Sequence, residues 1–185
     1  MISGSAKTKP TPGEEQAMAV SGQISAADFK SIRESLGLTA QWLADAVHAD
    51  QRTVRRWEDG DIPLRDDVVD ILLRLDEQVE HEISCERARE RARVLADLGH
   101  DLATLHDADI DEQHVFDHLE PQDWLTVEVP RVDADAPTIT HANALLARMV
   151  AGFNTPLPAA FYRAAASRLR RALEGRLKIV YSSTG

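Results

Sequence analysis

The chain has 185 residues, 43% of them hydrophobic, and its 21 basic and 31 acidic side chains leave a formal charge of −10. That size and composition suit one compact domain or two small ones and exclude global disorder, while a single cysteine, Cys85, excludes an internal disulfide framework and a metal site built on several thiolates. No apolar run approaches the roughly 18 residues a membrane helix needs, and the first residues lack the apolar core of a signal peptide, so a cytoplasmic chain without membrane contact is expected.

Residues 1–24, MISGSAKTKPTPGEEQAMAVSGQI, mix Ser, Gly, Pro, Lys and Glu with little apolar periodicity and are expected to form a flexible tail. Helical signals begin at Ser25, which can cap a helix through Asp28 and is followed by Phe29, Ile32 and Leu36 at helical spacing. Gly37 ends that helix. Thr39 caps a second helix carrying Leu43, Ala44 and Val47, and Asp50 caps a third carrying Val54 and Trp57 before Gly60 stops it. Three short helices therefore fit between Ser25 and Gly60.

From Leu64 to about Leu98 there is no Gly or Pro, and Val68, Leu72, Leu75 and Val79 recur at alternating spacings of four and three. This predicts one long helix, read as a connector between two folded regions. Its middle, SCERARERAR, is polar nearly all round and is expected on the solvent side. The apolar seam returns at Leu95, Leu98, Leu102 and Leu105. Beyond it, WLTVEVPRV alternates like a half-buried strand with Pro130 favouring a sheet edge, THANALLARMVAGF reads as an amphipathic helix, Pro158 opens another that Gly175 closes, and LKIVY is a last short strand. Two strands make a marginal sheet alone, so this unit is expected to pair across a dimer or to pack on the long helix. The expected fold is mainly α, with a domain of short helices at 25–80, a helical connector at 81–108 and a small C-terminal α/β dimerisation domain at 109–185.

The third short helix carries the chemistry. At about 100° per residue, Val54 and Trp57 fall together on one side, while Arg52 and Arg56 lie nearly opposite with Arg55 beside them. A packing face and a reading face thus separate, as a helix seated in the DNA major groove requires. Gln51 and Thr53 flank the outward face near its N-terminus. Arginine's planar fork matches guanine O6 and N7, and glutamine can pair with adenine.

The run IRESLGLTAQWLADAVHADQRTVRRWEDGDIP resembles the DNA-binding domain of Xre/Cro-type regulators through Leu38, Thr39, Leu43, Ala44, Val54, Trp57, Glu58, Gly60 and Pro63. The resemblance covers about a third of the chain. It implies a lambda-repressor-like helix-turn-helix bundle, with Gln51, Arg52, Thr53, Arg55 and Arg56 on the recognition helix and Thr39 and Gln41 at the N-terminus of the bracing helix, near phosphate. Two positions depart from the pattern. His48 stands where many members have glycine in the turn, and histidine tolerates a left-handed conformation better than most residues; Ala40 replaces a glutamine that often contacts DNA. In its order of elements the chain is also similar to the YdiL-like and anti-CRISPR-associated repressors, which implies a homodimeric repressor bound to inverted repeats.

Charge is unevenly placed. Residues 21–80 carry 7 basic and 13 acidic groups, yet Gln51 to Arg56 contain three arginines and no acid. Residues 81–130 carry 4 and 13, while residues 131–185 carry 8 and 3, so an acidic middle and a basic end are expected to meet. Screening over roughly 8–10 Å allows the local patch to attract phosphate despite the distant carboxylates. The expected partners are double-stranded DNA and a second copy of the chain. A protein-interaction module such as an antitoxin or adaptor, binding a protein partner through its acidic middle or C-terminal region, is the rival reading.

Other residues have plainer roles. His114 and His118 are four apart, with His100 and His106 before them, but without a cysteine cluster a solvated or packed role is expected and no metal or other cofactor is assigned. Trp57 is expected in the core, Trp42 either in packing or at phosphate, and Cys85 as an inert thiol. No nucleophile–base pair, phosphate-cradling glycine loop or paired carboxylates argue for catalysis, so the chain is not expected to be an enzyme.

Overall fold

Each of the first three helices starts on a side-chain oxygen that satisfies an otherwise orphaned backbone N–H. The computed structural model describes residues 24–99, 124–136, 144–153 and 155–182. In it α1 spans Ala26–Ser35 and opens with a reciprocal cap: Asp28 N donates to Ser25 Oγ at 3.1 Å, and Ser25 N donates to Asp28 Oδ2 at 3.3 Å. Trp42 N donates to Thr39 Oγ1 at 3.0 Å to begin α2, Ala40–Ala46, and Thr53 N donates to Asp50 Oδ1 at 2.8 Å to begin α3, Gln51–Glu58. The expected tail at 1–24 falls outside the described residues save for Ile24, as do His100, His106, His114, His118, Leu102 and Leu105.

The turn between α2 and α3 runs through His48 at φ 52°, with Ala49 N donating back to Ala44 O at 2.9 Å. The backbone there is left-handed, as the glycine-for-histidine comparison anticipated. Holding a non-glycine residue in that region costs on the order of 1–2 kcal/mol, partly offset because glycine would gain freedom in the unfolded chain. We expect His48→Gly to be neutral or stabilising by up to about 1 kcal/mol and His48→Val, β-branched, to destabilise by about 1–2 kcal/mol, as read from urea midpoints at constant m.

The long helix, α4, spans Asp66–Asp97, 32 residues or about 48 Å. Val68, Leu72, Leu75, Val79 and Ile83 on it are buried in one apolar cluster that also contains Phe29, Leu43, Val54 and Trp57 from the first three helices. The same cluster continues into Leu146, Met149, Phe161, Leu169 and Leu177 from the C-terminal unit. The first half of α4 is thus a shared spine.

The expectation that SCERARERAR lies wholly on the solvent side needs correcting. Glu90 is buried and accepts from Arg93 NH2 at 2.9 Å, and Glu86, half-buried, accepts from Arg89 NH1 at 2.7 Å. The reason is phase: Glu86 and Glu90 continue the stripe through Val79, Ile83 and Val94 at spacings of three and four, so composition misled where position did not.

The C-terminal unit pairs β1, Leu125–Val129, in parallel with β2, Leu177–Tyr181, with Val127 opposite Ile179. A short 3-10 turn at Asp133–Asp135 follows β1, and α5, Ala144–Met149, and α6, Ala159–Ala172, lie between the strands in sequence. Parallel neighbours require such a crossover. Pro158 gives α6 no side-chain cap; Ala159 N donates instead to Asp133 Oδ1 at 2.7 Å, a carboxylate from a distant turn placed at the positive helix end. α6 packs against both strands and against α4, which covers the marginal sheet.

Ion pairs bind the basic end to α4. Arg168 NH1 reaches Asp76 Oδ1 at 2.7 Å and its NH2 pairs with Glu80, while Arg148 Nε meets Glu82 Oε2 at 2.7 Å and NH2 meets Glu86 Oε2 at 3.2 Å. Gln78 adds a staple, its Nε2 donating to Arg148 O at 2.6 Å and to Ala151 O at 3.1 Å. Gly37, at φ 69°, brings the α1–α2 turn against α6 so closely that a Cβ would stand 2.5 Å from Ala160 O. No described helix is long and apolar enough to cross a membrane.

Candidate nucleic-acid interface

α2 and α3 present a surface whose inner side is fixed by packing. Val54 and Trp57 point inward and are almost wholly buried, and Arg52, Arg55 and Arg56 are exposed. Among the described residues none of these three guanidiniums is held by a carboxylate. Each fork is free to meet an external anion. Gln51 and Thr53 are half-buried at the N-terminal end of the same helix, and Thr39 and Gln41 are exposed at the start of α2.

The hydrogen bonds within this surface limit what each side chain can offer. Thr39 Oγ1 accepts from Trp42 N, so its own O–H remains available to donate, as a phosphate oxygen would require. Gln41 Nε2 donates to Asp45 Oδ1 at 2.8 Å, which leaves its carbonyl and a second N–H. Thr53 Oγ1 donates to Asp50 Oδ2 at 3.0 Å while its N–H donates to Oδ1, so its proton is committed and its methyl and lone pairs are what a base edge could meet.

Asp50 is thus more than a cap, since it also fixes the rotamer of Thr53. The Thr53 backbone N–H, followed by its hydroxyl, holds the Asp50 carboxyl below its ordinary value of 3.8. A depressed folded value means a contribution to stability that is whole above about 3.8 and is lost as pH falls through the lower, folded value. A carboxyl NMR titration should find the Asp50 midpoint below 3.8, and in Thr53→Val that midpoint should rise. A midpoint unmoved by Thr53→Val would show that the hydroxyl adds nothing to the hold of the backbone N–H.

Behind the surface lies an ion pair that sequence spacing did not disclose. Arg33 of α1 donates from Nε to Glu58 Oε1 at 2.5 Å, from NH1 to Leu38 O, and from NH2 to Glu34 at 3.2 Å. The side chains of Arg33 and Glu58 are only 8% and 6% exposed. Glu58 is the last residue of α3, so this pair ties the far end of the helix to α1. On the rim, Arg65 stands 5.9 Å from the centroid of the Trp57 ring.

Trp42, open between packing and phosphate on sequence grounds, is half-buried and its Nε1 donates to Pro156 O at 2.8 Å. Its donor is therefore spent within the chain. A scan of the sequence against protein-family models finds no match, and a search of curated proteins finds none either.

Proposed function

We propose that the chain is a sequence-specific DNA-binding transcriptional regulator, a repressor that binds an inverted-repeat operator as a homodimer. The observation that carries this reading is one short helix, α3, with Val54 and Trp57 locked inward and three exposed, unneutralised arginines outward. We read α1 to α3 with the start of α4 as a lambda-repressor-like helix-turn-helix bundle of the Xre/Cro type, with α2 bracing and α3 reading. In this reading Gln51, Arg52 and Arg56 meet base edges, and Thr39, Gln41, Thr53 and Arg55 support them or contact phosphate. A two-fold dimer presents its two reading helices to half-sites about 34 Å apart.

The rival, a protein-interaction module using an acidic middle, draws less support. Glu82 and Glu86, which begin that middle on α4, are already engaged by Arg148 of the same chain. Selection of random duplex DNA by the purified protein tests the proposal directly. Recovery of a palindromic consensus is the expected result, with affinity falling steeply as salt rises; a flat pool after several rounds would turn the assignment toward the rival.

A further inference from the structure

A cleft of about 430 Å³ opens beside α2, between that helix, α4 and the stretch that follows α5. Its size falls within the roughly 300–1,000 Å³ typical of small-molecule sites. Trp42 and Ala46 form one wall, Ile71 and Phe153 add apolar surface, and Arg74 and Gln78 bring polar groups from α4. We propose that this cleft binds a small planar aromatic carboxylate, its ring against Trp42 and Phe153 and its carboxylate on Arg74.

The chemistry of the lining selects that class. The Trp42 indole N–H is occupied by Pro156 O, so the ring offers the cleft only apolar surface. Arg74 uses Nε on Asp70 O at 3.2 Å, and among the described residues its two terminal nitrogens have no partner. A guanidinium anchored by one nitrogen and open at two others is preorganised for a carboxylate. Gln78 spends its amide nitrogen on two carbonyls, which orients the side chain and leaves Oε1 as an acceptor for a donor on the ring. A neutral aromatic would meet the same walls and leave Arg74 unmatched. The inference concerns binding alone and stands whether or not the chain reads DNA.

The full chain, without DNA, is titrated with benzoate and followed by the indole N–H resonances in proton–nitrogen spectra. The expected result is a saturable shift of the Trp42 signal with a midpoint below about 5 mM, as suits a ligand of so few atoms, while the buried Trp57 signal stays in place. Arg74→Gln, a change at an exposed side chain, should weaken benzoate about fivefold or more, and benzamide should bind the original protein comparably weakly. Ala46→Leu, which fills the cleft, should remove the shift. The proposal is overturned by a Trp42 signal that does not saturate by about 20 mM, by equal benzoate midpoints with and without Arg74, or by a shift that survives Ala46→Leu.

Discussion

Replacing Arg52 and Arg56 together by alanine is expected to abolish selective DNA binding and leave the fold intact. Both side chains are exposed and neither supports packing, so the melting midpoint should stay within the range of ordinary surface substitutions, about 0.5 kcal/mol. Each well-placed arginine–guanine contact contributes roughly 1–3 kcal/mol of discrimination, so losing two should reduce the preference for the selected duplex over random DNA by about a hundredfold or more. Arg55→Ala should behave differently: as a phosphate contact it should weaken all duplexes alike and lower the salt slope by about one. Mobility shifts against the selected consensus and a scrambled duplex separate these effects. Undiminished selectivity in the double variant would refute the role assigned to α3.

The second large effect is on stability. Glu58→Ala removes the carboxylate facing Arg33 and leaves a guanidinium, 8% exposed, with the Leu38 carbonyl and the outlying Glu34 as its remaining partners. Breaking one side of such a pair costs about 3–5 kcal/mol, because the surviving charge stays buried without its counter-charge. For a chain of this length that corresponds to a melting temperature lower by roughly 10 °C. The control is the double replacement Arg33→Met with Glu58→Leu, which removes both charges and should recover most of the loss. If the single variant melted within a degree or so of the original protein, the pair would be contributing little and the end of α3 would be held by Val54 and Trp57 alone.

How much of this was legible beforehand depended on distance along the chain. The caps at Ser25, Thr39 and Asp50 could be read because donor and acceptor lie three residues apart, and the inward set of Val54 and Trp57 because it follows from helical phase. The left-handed turn at His48 was legible only through the resemblance to Xre/Cro-type sequences, many of which have glycine there. The Arg33–Glu58 pair joins residues 25 apart, and the Trp42–Pro156 bond joins residues 114 apart, separations at which no local periodicity carries information. Glu90 shows a different failure: its polar neighbours hid a seam position that strict counting from Val79 would have found. The charge asymmetry along the chain foretold contact between the acidic middle and the basic end, and Arg148 makes it with Glu82 and Glu86, whereas Arg168 reaches Asp76 and Glu80, upstream of that middle, a choice set by packing.

The near-contact of Gly37 with Ala160 has a consequence for biosynthesis. A ribosome releases the N-terminal helices first, and the surface that α6 covers stays bare until residues 159–172 emerge. The α1–α2 turn therefore cannot reach its final setting until α6 has emerged. Loop closure over such separations is slow relative to local helix formation, so α1 to α3 should assemble early and wait for α6. Chains ended by a premature stop before Ala160 would leave the α1–α2 turn and the side of α4 that α6 covers bare, and should be recognised by proteases sooner than chains that contain α6.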